Sequence, residues 1–304
     1  PYLKVAREEH DNFANVFRKN GVKVEYLEDL TAEALNNPII KEKFVNEAIL
    51  ENLSHNNDYD KPLKEYLLSM NSRDMVDKIM AGVRKKDIGI NENFDDYPFL
   101  MDPMPNLYFT RDPFASIGKG ISLNSMRTET RKRETIFGKY IFKYNPGFKD
   151  SNIPLWYDRN EKFSMEGGDE LVLSKDVIAI GNSERTDYKA AIKTAENIFK
   201  YGDSFKVVLL FDIPKIRAFM HLDTVFTMID YDKFTIHKGI EGQLKVTAIT
   251  YNHKEREIVL NEETGSLEKI LSKYLGRDIT LIRCGGGDKI ISGREQWNDG
   301  SNTL

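Results

Sequence analysis

The chain has 304 residues, of which 40% are hydrophobic and 30% charged, and its formal net charge is −4. This length fits one large domain or two ordinary ones, and the composition is that of a globular protein in solution. The acidic balance excludes the basic footprint of a nucleic-acid-binding protein, and no apolar run reaches the roughly 20 residues that span a bilayer. The one cysteine, Cys284, excludes an internal disulfide and favours a cytoplasmic location.

The first part of the chain is predicted to be mainly helical. A helix over 1–21 ends at a glycine, and alternating side chains over 22–27 predict a strand. Helical periodicity then continues to about residue 88, with Thr31 and Ser72 as candidate N-caps. The helices predicted there cover 31–35, 41–53, 62–70 and 72–84, and a loop is predicted over 88–98. We therefore predict a partial unit at 1–28, an inserted helical bundle at 29–90 and repeating units at 91–304.

A unit of about 55 residues recurs in the last part, consisting of a hairpin, a helix and a third strand. In the first unit these elements are predicted at 106–110, 115–123, 127–140 and 154–157. In the second they are predicted at 170–173, 177–181, 186–201 and 206–211. In the third they are predicted at 224–229, 233–237, 266–275 and 280–283, with an extra strand at 245–251. A fourth unit is predicted to begin near Arg294.

Units of this kind can surround a pseudo-symmetry axis, with their first strands lining a central site and their helices outside. The alternative is an ordinary α+β sheet whose hairpins recur by chance. The predicted class is thus α/β (α+β), either as a pseudo-symmetric array of ββαβ units or as such a sheet.

Acidic residues lie at the predicted strand ends of these units. Asp112 and Asp223 can grip a planar guanidinium from two sides, because its five N–H donors match paired carboxylates. The alternative is two surface acids in salt bridges. His221 precedes Asp223 by two residues, so both side chains would share one face of a strand, where histidine can transfer protons near neutral pH. A buried structural histidine is the competing interpretation.

Other candidates have equally ordinary alternatives. Glu166 and Asp169 flank two glycines that permit close backbone approach, or simply form a turn into the next strand. Arg131 and Arg185 could bind a carboxylate or could be surface charges. Cys284, at the end of a predicted strand, is better explained as a structural thiol than as a nucleophile. The few histidines and one cysteine give no metal-ligand spacing, so neither a metal nor a cofactor is predicted.

Four motifs together resemble the arginine deiminase family. They are Met104-Pro-Asn-Leu-Tyr-Phe-Thr-Arg-Asp112, Glu166-Gly-Gly-Asp169, Met220-His-Leu-Asp223-Thr-Val-Phe226 and Arg294-Glu-Gln-Trp-Asn-Asp-Gly-Ser-Asn302. The resemblance covers nearly the whole chain. It implies a five-bladed αβ-propeller with an inserted helical bundle. The implied enzyme is a hydrolase of C–N bonds in linear amidines, which converts L-arginine and water to L-citrulline and ammonia without a cofactor.

The resemblance also implies roles for individual residues. Asp112 and Asp223 resemble the acids that hold the guanidinium, His221 the general acid/base, and Glu166 the carboxylate beside both. The residues that resemble the surroundings of the substrate's amino-acid end and alkyl stem are Asn106, Phe109, Arg131 and Arg185, with Asp169 as a supporting acid.

The resemblance implies a nucleophilic cysteine in a segment that this sequence does not contain, and Cys284 does not match its context. We therefore expect a fragment that is inactive as given. The alternatives are a hydrolase for agmatine or dimethylarginine and a catalytically dead arginine-binding protein. The expected partner is a small molecule, without nucleic acid or membrane, and a homo-oligomer stays open.

Overall fold

A computed structural model of the chain describes residues 2–54, 56–90, 97–202, 204–242, 244–286, 288–298 and 300–302. Two compact units are present. The first consists of Pro1–Leu50, Ser54–Pro103 and Tyr140–Asp150, and the second of Glu51–Leu53, Met104–Lys139 and Ser151–Leu304. Among the helices of the described ranges, none combines the length and apolarity needed to cross a membrane. The boundaries predicted at residues 28 and 90 stay predictions, because compactness alone does not identify the units of a repeat.

The first unit is mainly helical. Its helices are α1 Leu3–Lys19, α2 Leu27–Ala34, α3 Pro38–Leu50, α4 Asp60–Leu68 and α5 Ser72–Ala81, and its strands β1 Val83–Arg84 and β2 Phe99–Met101 pair antiparallel. Apolar side chains of α3, α4 and α5 face inward, as the helical periodicity predicts. Those with no exposed surface include Phe44, Val45, Leu67, Met75, Val76 and Ile79. The predicted loop over 88–98 falls mostly on residues 91–96, outside the described residues.

The strand predicted at 22–27 is wrong. Alternation of side chains is not sufficient for a strand without a neighbour for its backbone groups. The chain instead enters α2 at Leu27, where Glu28 and Asp29 in the first turn interact favourably with the positive end of the helix.

Both predicted N-caps are also wrong. Thr31 lies within α2, where its hydroxyl donates to the carbonyl of Leu27 at 2.7 Å. Helix α5 is capped one residue earlier than predicted, by Asn71 rather than Ser72. The Asn71 Oδ1 accepts the N–H of Asp74 at 2.9 Å, so the cap satisfies a free donor of the first turn.

The second unit carries three of the sheets. Its helices are α6 Glu129–Lys132, α7 Thr135–Tyr144 as far as Lys139, α8 Tyr188–Tyr201, α9 Leu267–Leu275 and α10 Lys289–Trp297. Its strands are β3 Phe114–Ile117, β4 Gly120–Leu123, β5 Leu155–Tyr157, β6 Glu170–Val172, β7 Val177–Asn182, β8 Val207–Asp212, β9 Phe226–Asp230, β10 Lys233–His237, β11 Lys245–Asn252, β12 Glu257–Glu263 and β13 Thr280–Cys284. The structure therefore has a mixed α/β fold.

The predicted order of hairpin, helix and third strand is found in three sheets, but the hairpin of the first unit lies within residues 114–123, where a single strand over 115–123 was wrongly predicted. Strands β3 and β4 pair antiparallel and β5 joins β4 in parallel; β6, β7 and β8 repeat this pattern, as do β9, β10 and β13. The extra strand predicted at 245–251 forms as β11, but its assignment to the third unit is wrong, because β11 pairs with β8 and extends the second sheet together with β12. The first strand of each unit, β3, β6 or β9, is at an edge of its sheet. The segments that precede these strands therefore occupy equivalent positions in the three units.

The central strands β7 and β8 of the second sheet are buried on both faces. Alternate residues of β7 and β8 belong to two separate hydrophobic cores, so Val177, Ala179 and Leu209 face one core while Ile178 and Val208 face the other. A strand covered on both sides needs apolar residues throughout, which explains the unbroken apolar runs of both sequences. The rigid sheet therefore supports the loop that precedes β6.

Several element predictions in this unit are wrong. Residues 106–110 form no strand but a 3₁₀ turn over Pro105–Tyr108, since proline favours the first helical position and supplies no ladder donor. The helix predicted at 127–140 is divided into α6 and α7. Arg294 lies within α10 rather than at the start of a unit, and β12 was not predicted.

Candidate active site

Backbone hydrogen bonds bring three distant segments together. The N–H of Gly167 donates to the carbonyl of Asp112 at 3.1 Å, and the N–H of Asp223 donates to the carbonyl of Gly168 at 3.0 Å. The turn before β3, the loop before β6 and the turn before β9 are thus held side by side. Their acidic side chains are consequently concentrated in one place.

The two glycines permit this close approach. A Cβ atom on Gly168 would lie 2.7 Å from His221 Nδ1 and 3.0 Å from Asp223 Oδ2. A Cβ atom on Gly167 would lie 2.0 Å from the carbonyl oxygen of Arg111. A larger residue at Gly167 would have to move the backbone of Arg111, and one at Gly168 would have to move the side chains of His221 and Asp223, so the predicted role of the glycine pair agrees with the geometry.

His221 is at the centre of the cluster. Its Nε2 lies 2.8 Å from Oε2 of Glu166, and its Nδ1 lies 3.9 Å from Oδ1 of both Asp112 and Asp223. All four side chains are buried. His221 and Asp223 precede β9 rather than lying within it, so the shared strand face predicted for them is wrong, although both side chains reach the same site.

The carboxylates determine the charge of the imidazole. Burial would lower the pKa of His221, but the hydrogen bond with Glu166 and the negative charges of Asp169, Asp112 and Asp223 outweigh burial and raise the pKa to about 10. The ring is therefore an imidazolium at neutral pH. Such a group can donate a proton to a departing amine.

Asp223 carries an unused acceptor. Its Oδ1 is buried and has no hydrogen-bond partner within the described part of the chain. Burial raises the pKa of Asp223 to about 7, against the opposing charges of His221 and Arg111. A buried carboxylate oxygen without a donor is costly, so it indicates a position where a ligand supplies the donor.

Asp169 holds the segment that carries His221 and Asp223. Its Oδ1 accepts the N–H of Leu222 at 2.8 Å, and its Oδ2 accepts the hydroxyl of Ser183 at 2.6 Å. Burial raises the pKa of Asp169 to about 6, although the charge of His221 and these hydrogen bonds oppose the shift. Asp169 thus fixes the backbone between the two site residues.

Arg131 is engaged by protein groups on all three nitrogens of its guanidinium. Its Nη1 donates to Oδ2 of Asp112 at 2.8 Å, and its Nε donates to Oε2 of Glu134 at 2.9 Å. Its Nη2 donates to the carbonyls of Asn106 and Phe109 at 3.2 and 3.4 Å. To bind a substrate carboxylate directly, Arg131 would have to break some of these hydrogen bonds and form new ones with the substrate.

Arg185 lies on the other side of Glu166. Its Nη1 is 3.8 Å from Glu166 Oε2, its Nε donates to Oε2 of Glu184 at 2.6 Å, and its Nη2 is 3.7 Å from the sulfur of Met220. Glu166 is therefore near three cationic groups, since Arg131 Nη1 is 4.0 Å away and His221 donates to it.

The remaining sequence candidates are more peripheral. Asn106 and Phe109 have exposed side chains, and the structure brings their carbonyl oxygens to Arg131. The thiol of Cys284, at the end of β13, donates to the carbonyl of Gly300 at 3.6 Å. This contact is that of a structural thiol.

Two residues near the site were not predicted to act there. Arg111 donates from Nε to the carbonyl of Gly167 at 3.1 Å and from Nη2 to the carbonyl of Glu170 at 2.8 Å, which secures the glycine loop. Glu134 pairs with Arg131 three residues earlier. The i,i+3 spacing within a dense run of charges was the available signal for this pair, but such runs are usually solvated.

The site also has the donor set of a cation site. Asp112, Glu166 and His221 offer ligand atoms within 4.8 Å of one another. A metal ion bound there would have to replace the hydrogen bond between Glu166 and His221, and it would require the imidazole to lose its proton. The absence of a metal cofactor stays a prediction.

A buried imidazolium between carboxylates has the chemistry needed for acid–base catalysis on a cationic ligand. A family model described as arginine deiminase matches residues 1–304, and the chain belongs to the arginine deiminase family. The arginine deiminase of Clostridium perfringens (strain SM101 / Type A) is 56% identical over 315 residues, which cover 100% of this chain and 76% of the relative. That of Streptococcus equi subsp. equi (strain 4047) is 51% identical with the same coverage.

Among solved structures, a match is found to a dimethylarginine dimethylaminohydrolase adduct with 4-chloro-2-hydroxymethylpyridine. The match covers 65% of this chain and 61% of the chain in that structure. The sequence identity is 17% and the TM-score is 0.39. A likeness at that score carries no weight for fold or function.

Proposed function

We propose that this site binds the guanidinium of L-arginine between Asp112 and Asp223 for hydrolysis to L-citrulline and ammonia. The observation that carries the proposal is the pair of carboxylates on one side of His221, with Oδ1 of each 3.9 Å from Nδ1 and that of Asp223 lacking a donor. A guanidinium supplies several N–H donors in one plane, so it can satisfy both carboxylates together.

In the proposed reaction a cysteine thiolate attacks the guanidinium carbon. His221 gives its proton to the departing nitrogen, ammonia leaves, and an amidino-thioether remains on the enzyme. The neutral His221 then takes a proton from water as the water oxygen attacks the same carbon. The carbon–sulfur bond breaks, the hydroxyl group on that carbon releases its remaining proton to solvent, and citrulline leaves, which restores the thiolate and the imidazolium. Asp112 and Asp223 position the cation and neutralise its charge.

The residues of this sequence account for binding and proton transfer rather than for the nucleophile. Cys284 is hydrogen-bonded to Gly300, and the family resemblance assigns the thiolate to a different sequence context. The activity is therefore proposed for the protein with that cysteine in place.

Arg131 and Arg185 favour arginine over agmatine, whereas dimethylarginine carries the same carboxylate as arginine and is not separated by them. Both are buried or half-buried cations on the Glu166 side of the site, and a carboxylate-bearing substrate such as arginine can use them. Agmatine has no carboxylate and would leave them without that partner. Comparing kcat/KM for arginine, agmatine and dimethylarginine tests this assignment, and better turnover of either alternative would contradict it.

The pair of Asp112 and Asp223, which we call the guanidinium clamp, is tested by substitution. Asp112→Ala or Asp223→Ala is expected to abolish arginine turnover while circular dichroism stays unchanged, because both acids lie in turns before strands. Arginine binding by calorimetry without turnover, in a wild-type protein whose cysteine is confirmed, would instead favour a catalytically dead arginine-binding protein.

We further propose that the three ββαβ sheets are blades of a five-bladed αβ-propeller, with residues 1–28 as a partial blade and 29–90 as an insertion. The common strand order and the edge position of β3, β6 and β9 support this arrangement. An experimental structure of the protein tests it: five sheets around one axis are expected, and another number contradicts the proposal.

A further inference from the structure

The Arg131 guanidinium is shared between two buried acids. Glu134, in the turn between α6 and α7, is 2% exposed, and its Oε2 is 2.9 Å from Arg131 Nε. On the opposite side, Arg131 Nη1 is 2.8 Å from Asp112 Oδ2. Arg131 itself is 6% exposed, so both ion pairs are largely removed from water. Charge pairs interact more strongly in the protein interior than in water.

Sharing one positive charge between two acids affects the proposed guanidinium clamp. If Arg131 were neutralised by Asp112 alone, Asp112 would have less negative charge to offer a second guanidinium. Glu134 also restrains the backbone of Arg131, because the N–H of Glu134 donates to the carbonyl of Arg131 at 2.9 Å and closes the turn. The position of the guanidinium relative to Asp112 is therefore set from the Glu134 side.

We propose that Glu134 is a positioning residue of the substrate site, which neutralises and orients Arg131 so that Asp112 stays available to the substrate cation. This proposal rests on the proposed binding of arginine. Glu134 acts only through Arg131 and does not touch the substrate. Burial raises the pKa of Glu134 to about 7, although the charge of Arg131 and the hydrogen bond from it oppose this shift, so Glu134 carries its full charge only above that pH and binding is measured at about pH 8.

The test compares Glu134→Gln with wild type in the full-length protein, using the arginine dissociation constant from calorimetry and kcat and KM from citrulline production. Loss of a buried charge-assisted hydrogen bond predicts a rise of roughly ten-fold in the dissociation constant and KM. The expected change in kcat is smaller, since His221 and Glu166 are untouched. Glu134→Asp, which keeps the charge, is expected to recover part of the affinity.

The matched control is Glu129→Gln. Glu129 forms an i,i+3 pair with Lys132 in the same short helix, but its side chain is 70% exposed. An exposed pair of this kind contributes little, so arginine affinity should not change. Circular dichroism and the melting temperature separate loss of affinity from loss of fold.

A double-mutant cycle decides whether Glu134 acts through Arg131. In an Arg131→Gln background, adding Glu134→Gln should not weaken arginine binding further, and removing both charges avoids an unpaired buried acid. An additive loss, or a folded Glu134→Gln protein with wild-type affinity, would overturn the inference. If Glu134→Gln does not fold on its own, weaker arginine binding by the double variant than by Arg131→Gln alone overturns it. A wild-type protein without arginine affinity would instead refute the proposed function.

Discussion

The Nε2 atom of His221 lies 2.8 Å from Oε2 of Glu166, and neither side chain has appreciable contact with solvent. This pair determines the charge of the imidazole. It also fixes the ring so that Nδ1 faces the two aspartates, where the proposed reaction needs a proton donor.

The first prediction concerns this pair. Glu166→Gln removes the negative partner, so the pKa of His221, now raised to about 10, should fall towards its ordinary value. NMR titration of the His221 ring measures the pKa directly. His237 is the internal control, since burial lowers its pKa and Ser292 rather than Glu166 is its side-chain partner. An unchanged His221 titration in the variant would show that Glu166 does not hold the proton there.

The second prediction concerns stability and Asp223. Its pKa is raised from 3.8 to about 7, so the folded protein favours the neutral acid. The contribution of Asp223 to the free energy of unfolding therefore decreases as pH rises from about 4 through 7, because over that range the folded state keeps this proton while the unfolded state has released it.

Asp223→Asn removes this titration. The variant should melt higher than wild type at about pH 8, and the difference should shrink at about pH 5, where wild-type Asp223 is already protonated. Thermal melts at both pH values measure the difference. An equal shift at both values would show that the buried charge is not the cause, and arginine binding should be lost in either case.

The third prediction concerns Gly168. A Cβ atom there would lie 2.7 Å from His221 Nδ1, so Gly168→Ala should displace the imidazole. Misplacement of a catalytic group by about 1 Å costs about a hundred-fold in rate, which assays of kcat/KM for arginine would detect.

Gly293→Ala is the control for that experiment. Gly293 lies within α10, and an added Cβ would meet no heavy atom within 4 Å. Alanine in a helix interior should preserve or slightly increase stability. Wild-type activity of Gly168→Ala would contradict the close packing of the glycine loop against His221.

The fourth prediction concerns Asp169. Asp169→Asn keeps the shape of the side chain but replaces one of the two oxygens that accept from Leu222 and Ser183. The segment 221–223 should lose its anchor, and kcat should fall roughly ten-fold or more. Asp230→Asn, at an exposed ion pair with Lys233, is the control and should leave kcat unchanged. Equal effects of the two substitutions would argue against a special role for Asp169.

The sequence by itself determined the ββαβ order and the principal residues of the site. Hydrophobic periodicity is a local property, so β10 was predicted at its observed ends and β7 to within one residue. Asp112 and Asp223 were singled out because the proposed guanidinium binding restricts the residue types that can serve, and the role of Glu166 came from the family resemblance.

Only the tertiary structure decided how the charges are paired. A local pattern cannot show whether a neighbouring strand exists, which is why 22–27 and 106–110 were predicted as strands and form none. It also cannot show which acid an arginine meets, because Arg131 and Asp112 are brought together by folding and not by spacing in the chain. Burial then changes the proton affinities of His221 and Asp223, since desolvation and the surrounding charges exist only in the folded protein.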